Sequence, residues 1–142
     1  MNKRVYEQAL KERRLVKFPE GIKLVNQELR TAKADLKTAQ TSFLKKNYKW
    51  TIVQGYYAIF HAARALIYSR KIKEKTHYHL AIAIEALFVE EYLLSEDLLI
   101  ELREAMELRE KSDYESEYSA KGAKYVISVA KDFIKATKEI LV

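Results

Sequence analysis

Apolar residues along this chain recur mainly at steps of three and four, the spacing of one helical face, and only short polar stretches break the rhythm. From Glu20, the positions Ile22, Val25, Leu29, Ala32, Leu36, Ala39 and Phe43 predict the narrow apolar seam of one long helix. The segment from about Tyr48 to Arg70 is different. Trp50, Ile52, Val53, Tyr56, Tyr57, Ile59, Phe60, Ala62, Ala63, Leu66 and Ile67 surround much of its circumference, as in the central helix of a core. Gly55 lies inside that helix although glycine costs about 1 kcal/mol there relative to alanine, so a close approach by a neighbouring backbone is expected.

Upstream, Val5, Ala9 and Leu10 among many charges predict a short amphipathic helix reaching Lys17 and stopped by Phe18-Pro19. Downstream, a basic loop from Arg70 to Lys75 leads to Thr76, the predicted N-cap of a fourth helix running to about Tyr92. Ser95 before Glu96 and Asp97 marks the start of a fifth helix that continues to about Asp113. The polar stretch Glu115 to Ser119 separates it from a last helix with Ala123, Val126, Ile127, Ala130, Phe133, Ile134, Thr137 and Ile140 on one face. Five to six helices with short connections predict an all-α, up-and-down antiparallel bundle occupying residues 1–142 as one domain. The long seam is expected to pack within the chain, although a dimeric coiled coil would use the same pattern.

Composition narrows the chemistry. Three glycines and one proline leave little to punctuate strands, and they leave no phosphate-cradling loop or dinucleotide fingerprint, so no cofactor is expected. With no cysteine there is no disulfide framework, thiolate metal site or cysteine nucleophile. No apolar run approaches the roughly 20 residues of a membrane span, and the charged start does not read as a signal core, so a cytoplasmic protein with no membrane partner is expected. The formal charge of +6 favours anionic partners, but the linear sequence does not reveal whether the cations share one face.

Helical spacing singles out a few polar residues. Leu98, Leu102 and Ala105 form an inward row, and further steps of four place Arg109 and Asp113 on its continuation. The pair reads either as a salt bridge at the bundle end or as part of a site, with Tyr114 directly following. His61 stands in the apolar central helix with Arg64 three residues later, either as a hydrogen-bonded core histidine or as a supporting site residue. His77 and His79 are two apart and point in different directions on a helix, making poor joint metal ligands; no metal is expected. Carboxylate pairs such as Glu90-Glu91 and Glu101 with Glu104 read as solvated faces.

Three stretches together, Gly55-Tyr56-Tyr57-Ala58-Ile59-Phe60-His61-Ala62-Ala63-Arg64-Ala65-Leu66, Lys75-Thr76-His77 and Arg109-Glu110-Lys111-Ser112-Asp113-Tyr114, resemble successive landmarks of HEPN proteins. The likeness runs from roughly Leu24 to Phe133. It is closest to the small stand-alone archaeal and bacterial type often paired with a minimal nucleotidyltransferase. This resemblance implies a helical bundle that homodimerises with the motif ends of both subunits on one cleft. It also implies RNA or nucleotide as ligand and a role in a toxin–antitoxin-like, stress or defence pair. In such pairs the transferase neutralises its partner by modifying a motif tyrosine, which points to Tyr114 or Tyr118.

The catalytic branch of the family carries an arginine followed within about two helical turns by a histidine. Here Arg109 matches the arginine, but Tyr114, Glu115 and Ser116 occupy the histidine positions, and no histidine follows His79. An imidazole near pKa 6.5 exchanges protons at neutral pH, whereas a phenol near 10 is a poor base. The family's usual RNA cleavage is therefore not expected unless His61 or His77 substitutes from another helix. The alternatives are a metal-independent endoribonuclease using Arg109 with such a displaced base, and a structural helical adaptor.

Overall fold

The computed structural model of the chain describes residues 2–114 and 117–142. Among the described residues six α-helices are formed: α1 (Asn2–Lys11), α2 (Val25–Leu44), α3 (Tyr48–Ser69), α4 (His77–Ile84), α5 (Glu96–Tyr114) and α6 (Ala120–Leu141). Two three-residue strands, β1 (Leu15–Lys17) and β2 (Ile72–Glu74), form an antiparallel ribbon. The expected all-α class holds, with this ribbon as a small addition.

Helix α3 is the axis of the bundle, packed chiefly against α2 and α6 and also against α5. Its many-sided apolar character explains the position, since Ile52, Tyr56, Ile59, Leu66 and Ile67 are all fully buried. Trp50 departs from the expectation: it stands 49% exposed, with the Lys49 ammonium 5.3 Å from its ring centroid. At Gly55 a Cβ would lie 2.8 Å from Val126 Cγ1, so the neighbour that requires glycine is a side chain of α6, not a backbone.

The long second helix begins at Val25, not Glu20, because Pro19–Leu24 forms a 3₁₀ turn that leaves Ile22 half exposed. Its inward line is also rotated by about one position from the apolar seam. Glu28, Ala32, Ala39 and Ser42 are the buried residues of α2, while Val25, Leu29, Leu36 and Phe43 flank them half-buried. The two polar members have partners on α3: Ser42 Oγ donates to Gln54 Oε1 at 2.7 Å, and Glu28 meets His61 and Arg64.

Three boundaries differ from the sequence reading for a common reason. Helix α1 stops at Lys11, not Lys17, and the segment beyond it enters β1. The presumed loop Arg70–Lys75 contains β2, paired in the register Leu15↔Glu74, Val16↔Lys73, Lys17↔Ile72. The fourth helix is α-helical only to Ile84; a π-helical turn covers Glu85–Val89, and the chain reverses at Tyr92. Each stop uses a left-handed residue other than glycine: Arg13, Lys71 and Tyr92, and likewise Lys46 after α2, all with φ near 60°. Around Arg13 the amide of Arg14 donates to Ala9 O at 2.9 Å and that of Arg13 to Leu10 O at 3.2 Å, the paired bonds of a Schellman motif. Equivalent pairs close at Lys46 and Tyr92. Starts were easier to read: Thr76 Oγ1 accepts from the His79 amide and Ser95 Oγ from the Leu98 amide. Ser119, assigned to the connecting stretch, caps α6 by accepting from the Gly122 amide.

Candidate functional site

Arg109 sits on the inward continuation of the Leu102–Ala105 row of α5, its side chain only 13% exposed. One guanidinium nitrogen, Nη1, lies 3.3 Å from Asp113 Oδ2 one turn later, the pairing expected from the spacing. Among the described residues the contact is single, not a two-pronged fork, and Nε is buried without a hydrogen-bond partner. The guanidinium is instead held against aromatic rings of α3, 5.2 Å from the Tyr56 centroid and 5.9 Å from that of Tyr57.

His77 comes to the same place from the first turn of α4. Thr76, capping that helix, fixes the turn, and His77 Nδ1 lies 2.6 Å from the Tyr56 hydroxyl. Burial keeps the Tyr56 phenol well above its usual pKa, so it remains neutral. Its ring is fully buried, and among the described residues the hydroxyl has no other partner. The arrangement that satisfies this buried proton is donation to Nδ1, which leaves Nε2 carrying the imidazole hydrogen. Burial, and then the positive charge of Arg109, hold His77 below its ordinary pKa, so the ring is neutral at pH 7. His79 turns elsewhere, with its Nδ1 2.7 Å from Thr76 Oγ1.

Phe60, one turn beyond Tyr56 on α3, is stacked on His77 with centroids 4.5 Å apart, and the Arg64 guanidinium lies 4.7 Å from the Phe60 centroid. Arg64 Nη2 and Nε reach Glu74 Oε2 of β2 at 2.7 and 3.2 Å, and Nη1 reaches Glu28 Oε1 of α2 at 3.3 Å. The other oxygen of Glu28 is 2.9 Å from His61 Nδ1, while His61 Nε2 lies 3.8 Å from Asp35. Burial would raise the Glu28 pKa, but hydrogen bonds and charge from His61 and Arg64 outweigh it and hold the carboxyl below the usual range. His61 and Arg64 therefore tie α2, α3 and β2 together as a network with buried carboxylates, with His61 hydrogen-bonded as the plainer reading expected.

A line of contacts thus runs along α3 from Arg109 through Tyr56, His77 and Phe60 to Arg64 and His61. Tyr114 does not join it: the ring is 79% exposed and makes no hydrogen bond or ring contact among the described residues. Tyr118 is likewise half exposed and free of such contacts. Glu115 and Ser116 lie outside the described residues. Sequence reasoning overlooked Tyr56, Phe60, Glu28 and Glu74 as individual participants. Glu28 alone carried a signal, as a carboxylate one turn before Ala32 on a helix whose inward line it extends.

Chemically, a single-contact ion pair leaves a guanidinium whose remaining donors a phosphate can use, and the neighbouring neutral imidazole offers a further N–H. A surface cavity of about 560 Å³, lined by Ile22, Val25, Leu29, Lys33, Lys138 and Leu141 among others, shares no residue with this cluster. No helix among the described residues is long and apolar enough to cross a membrane.

Comparison with known proteins converges on one family. The model of the HEPN domain matches residues 25–141. A protein of Methanocaldococcus jannaschii named "Putative toxin MJ0605" is 31% identical over 115 residues, covering 78% of this chain and 86% of that protein. A second from the same organism, named "Putative toxin MJ0142", is 24% identical over 117 residues, covering 78% of this chain and 77% of its own length. With α2 to α6 inside the matched region and the Arg109 cluster formed wholly within it, this chain belongs to the HEPN domain family.

Proposed function

We propose that this chain is the HEPN component of a toxin–antitoxin-like or stress/defence pair, homodimeric and partnered by a minimal nucleotidyltransferase, with RNA or a nucleotide as ligand. The toxin part draws on the names of its relatives. The ligand class rests on one observation: Arg109 is held on Tyr56 and Tyr57 by a single contact to Asp113, beside a neutral His77. Phosphate oxygens replace that one contact with several charge-assisted hydrogen bonds. The exposure of Tyr114 and Tyr118 suits both as acceptors of a nucleotidyl group.

Co-expression with a nucleotidyltransferase encoded nearby tests the pairing. A co-purifying complex and a free protein of dimeric mass by light scattering are expected. Failure to form any complex, together with a strictly monomeric free protein, removes the reading. Intact-mass measurement after incubation with that partner and ATP is expected to show added nucleotidyl mass, lost in the Tyr114→Phe, Tyr118→Phe double variant.

The nearness of His77 to Arg109 favours a second reading, a metal-independent endoribonuclease with His77 as the displaced proton-transfer group. In the tautomer that satisfies Tyr56, Nε2 carries the hydrogen of a neutral ring, which donates a hydrogen bond but is too weak an acid to give up that proton, so His77 acts as the base only where the hydrogen moves to Nδ1 and frees Nε2. Purified protein would then cut RNA in the presence of a chelator. Loss of cutting in both Arg109→Ala and His77→Gln supports this, and unchanged cutting in either sinks it.

A further inference from the structure

The segments that meet in the β1–β2 ribbon concentrate the charge of the whole chain. Between Arg13 and Phe18 and between Arg70 and Lys75 stand seven cationic residues and one carboxylate, Glu74. This local excess equals the +6 formal charge of the entire sequence, so the remainder of the molecule is balanced. Glu74 is buried and committed to Arg64, and among the described residues none of the seven cations forms an ion pair.

Strand alternation sorts these side chains by face. Leu15, Ile72 and Glu74 are buried toward the bundle, whereas Val16 and Lys73, paired across the ribbon, are half-buried on the outside. Pairing extends one residue further at each end, the Lys75 amide donating to Arg14 O at 2.9 Å and the Phe18 amide to Lys71 O at 2.6 Å. Arg14 and Lys75, both exposed, therefore stand opposite one another. Like charges directly across an antiparallel pair are destabilising, and among the described residues neither cation forms an ion pair with a carboxylate. Lys73 places its ammonium 5.0 Å from the Phe18 ring centroid, and that ring packs edge-on against Tyr68.

Lys73 and Lys75 stand at strand spacing, about 6.6–6.8 Å apart, with exposed Lys71 at the left-handed turn that leads into β2, and this run of cations without ion pairs suits a repeating anion better than one isolated phosphate. The Val16 and Phe18 floor offers a surface on which a base can rest. Lys75 is also two residues before His77, so the end of the ribbon at Lys75 leads directly into the helix that carries the histidine of the Arg109 cluster.

We propose that the outer face of the ribbon, with Arg14, Lys71, Lys73 and Lys75, docks the phosphate backbone of a single-stranded nucleic acid. The docking stands on the ribbon itself; that the strand continues to Arg109 and His77 rests on the anion-binding reading of that cluster.

The test uses labelled oligothymidylate, which lacks the 2′-hydroxyl needed for self-cleavage, and measures affinity as a function of salt. Four phosphate contacts give a log–log slope near −2.8 for a single strand, or about 50-fold weaker binding between about 50 and about 200 mM salt. In the Arg14→Gln, Lys73→Gln, Lys75→Gln variant the slope falls to about −0.7 and the loss to about 2–3-fold. Unaltered circular dichroism and melting in this variant show that charge, not folding, was removed. Wild-type affinity and slope in the triple variant overturn the proposal. So does ribbon-dependent binding of phosphatidylserine vesicles without binding of oligothymidylate, which assigns the face to a membrane surface. Binding of adenosine monophosphate and its loss in Arg109→Ala report separately on the cluster: if that binding is absent while the ribbon slopes behave as stated, docking stands and the cluster reading fails.

Discussion

Replacing Arg64 with methionine removes the one guanidinium that Glu28 and Glu74 share. In the native chain these carboxylates are 9% and 4% exposed, and Arg64 reaches them at 3.3 and 2.7 Å. Breaking a buried pair by deleting one partner typically costs about 3–5 kcal/mol, because the surviving charge stays desolvated. Methionine keeps the length of the stem over Phe60, so most of the loss is electrostatic. For a chain of this size that corresponds to a fall of roughly 10–20 °C in melting temperature at pH 7.

The pH dependence separates this mechanism from simple loss of packing. Native Glu28 has a depressed pKa, so its contribution is present above the unfolded value near 4.3 and is lost as the pH falls through the folded one. In the variant, protonation removes a charge that lacks its cation and so relieves the fold. Native and variant stabilities should therefore converge on acidification. Urea unfolding at fixed protein concentration, followed by circular dichroism from pH 7 to about pH 4, measures the difference directly. A penalty below about 1 kcal/mol at pH 7, or one that is constant across that range, refutes the account of Arg64 as the cation that holds these carboxylates.

Three further outcomes are expected. Arg109→Gln should raise the His77 pKa toward its ordinary value, because the nearby positive charge is one cause of the depression; the imidazole proton shifts in an NMR titration report it, and an unchanged midpoint contradicts the geometry. Gly55→Ala gains about 1 kcal/mol of helix propensity but meets Val126 Cγ1, for a net destabilisation of about 1–2 kcal/mol, and Val126→Ala in the same chain should make the two changes non-additive. Thr76→Ala removes the cap of α4 and should cost about 1 kcal/mol by denaturant titration; a neutral result would place the start of α4 under other control.

The starts of α4 and α5 were legible because serine and threonine caps are local chemistry: Thr76 and Ser95 can be read from the residues that follow them, whereas α2 has no side-chain cap to mark Val25. Helix ends were not, because the usual glycine signal is missing. Arg13, Lys46, Lys71 and Tyr92 adopt the left-handed conformation that glycine takes at little cost, and nothing in an arginine or lysine announces it. This is why α1 was extended through what is actually β1. The ribbon was hidden for a second reason: strands of three residues have too little alternation to register, and each needs a partner far away in the chain. The candidate site divides similarly. Arg109 and Asp113 are four apart on one helix, so their contact follows from spacing, whereas Tyr56 with His77 and His61 with Glu28 are 21 and 33 residues apart and depend on how helices pack.

Strand β1 precedes Val25 and so falls outside the stretch that matches the family model, yet it supplies the only ladder partner of β2 among the described residues. A protein trimmed to the matched stretch would uncover the space that fully buried Leu15 fills and leave β2 as an open edge, able to template strand addition from another copy. The opening segment therefore covers an edge that would otherwise be open to strand pairing between copies, and trimmed versions are expected to aggregate through it where the whole chain does not.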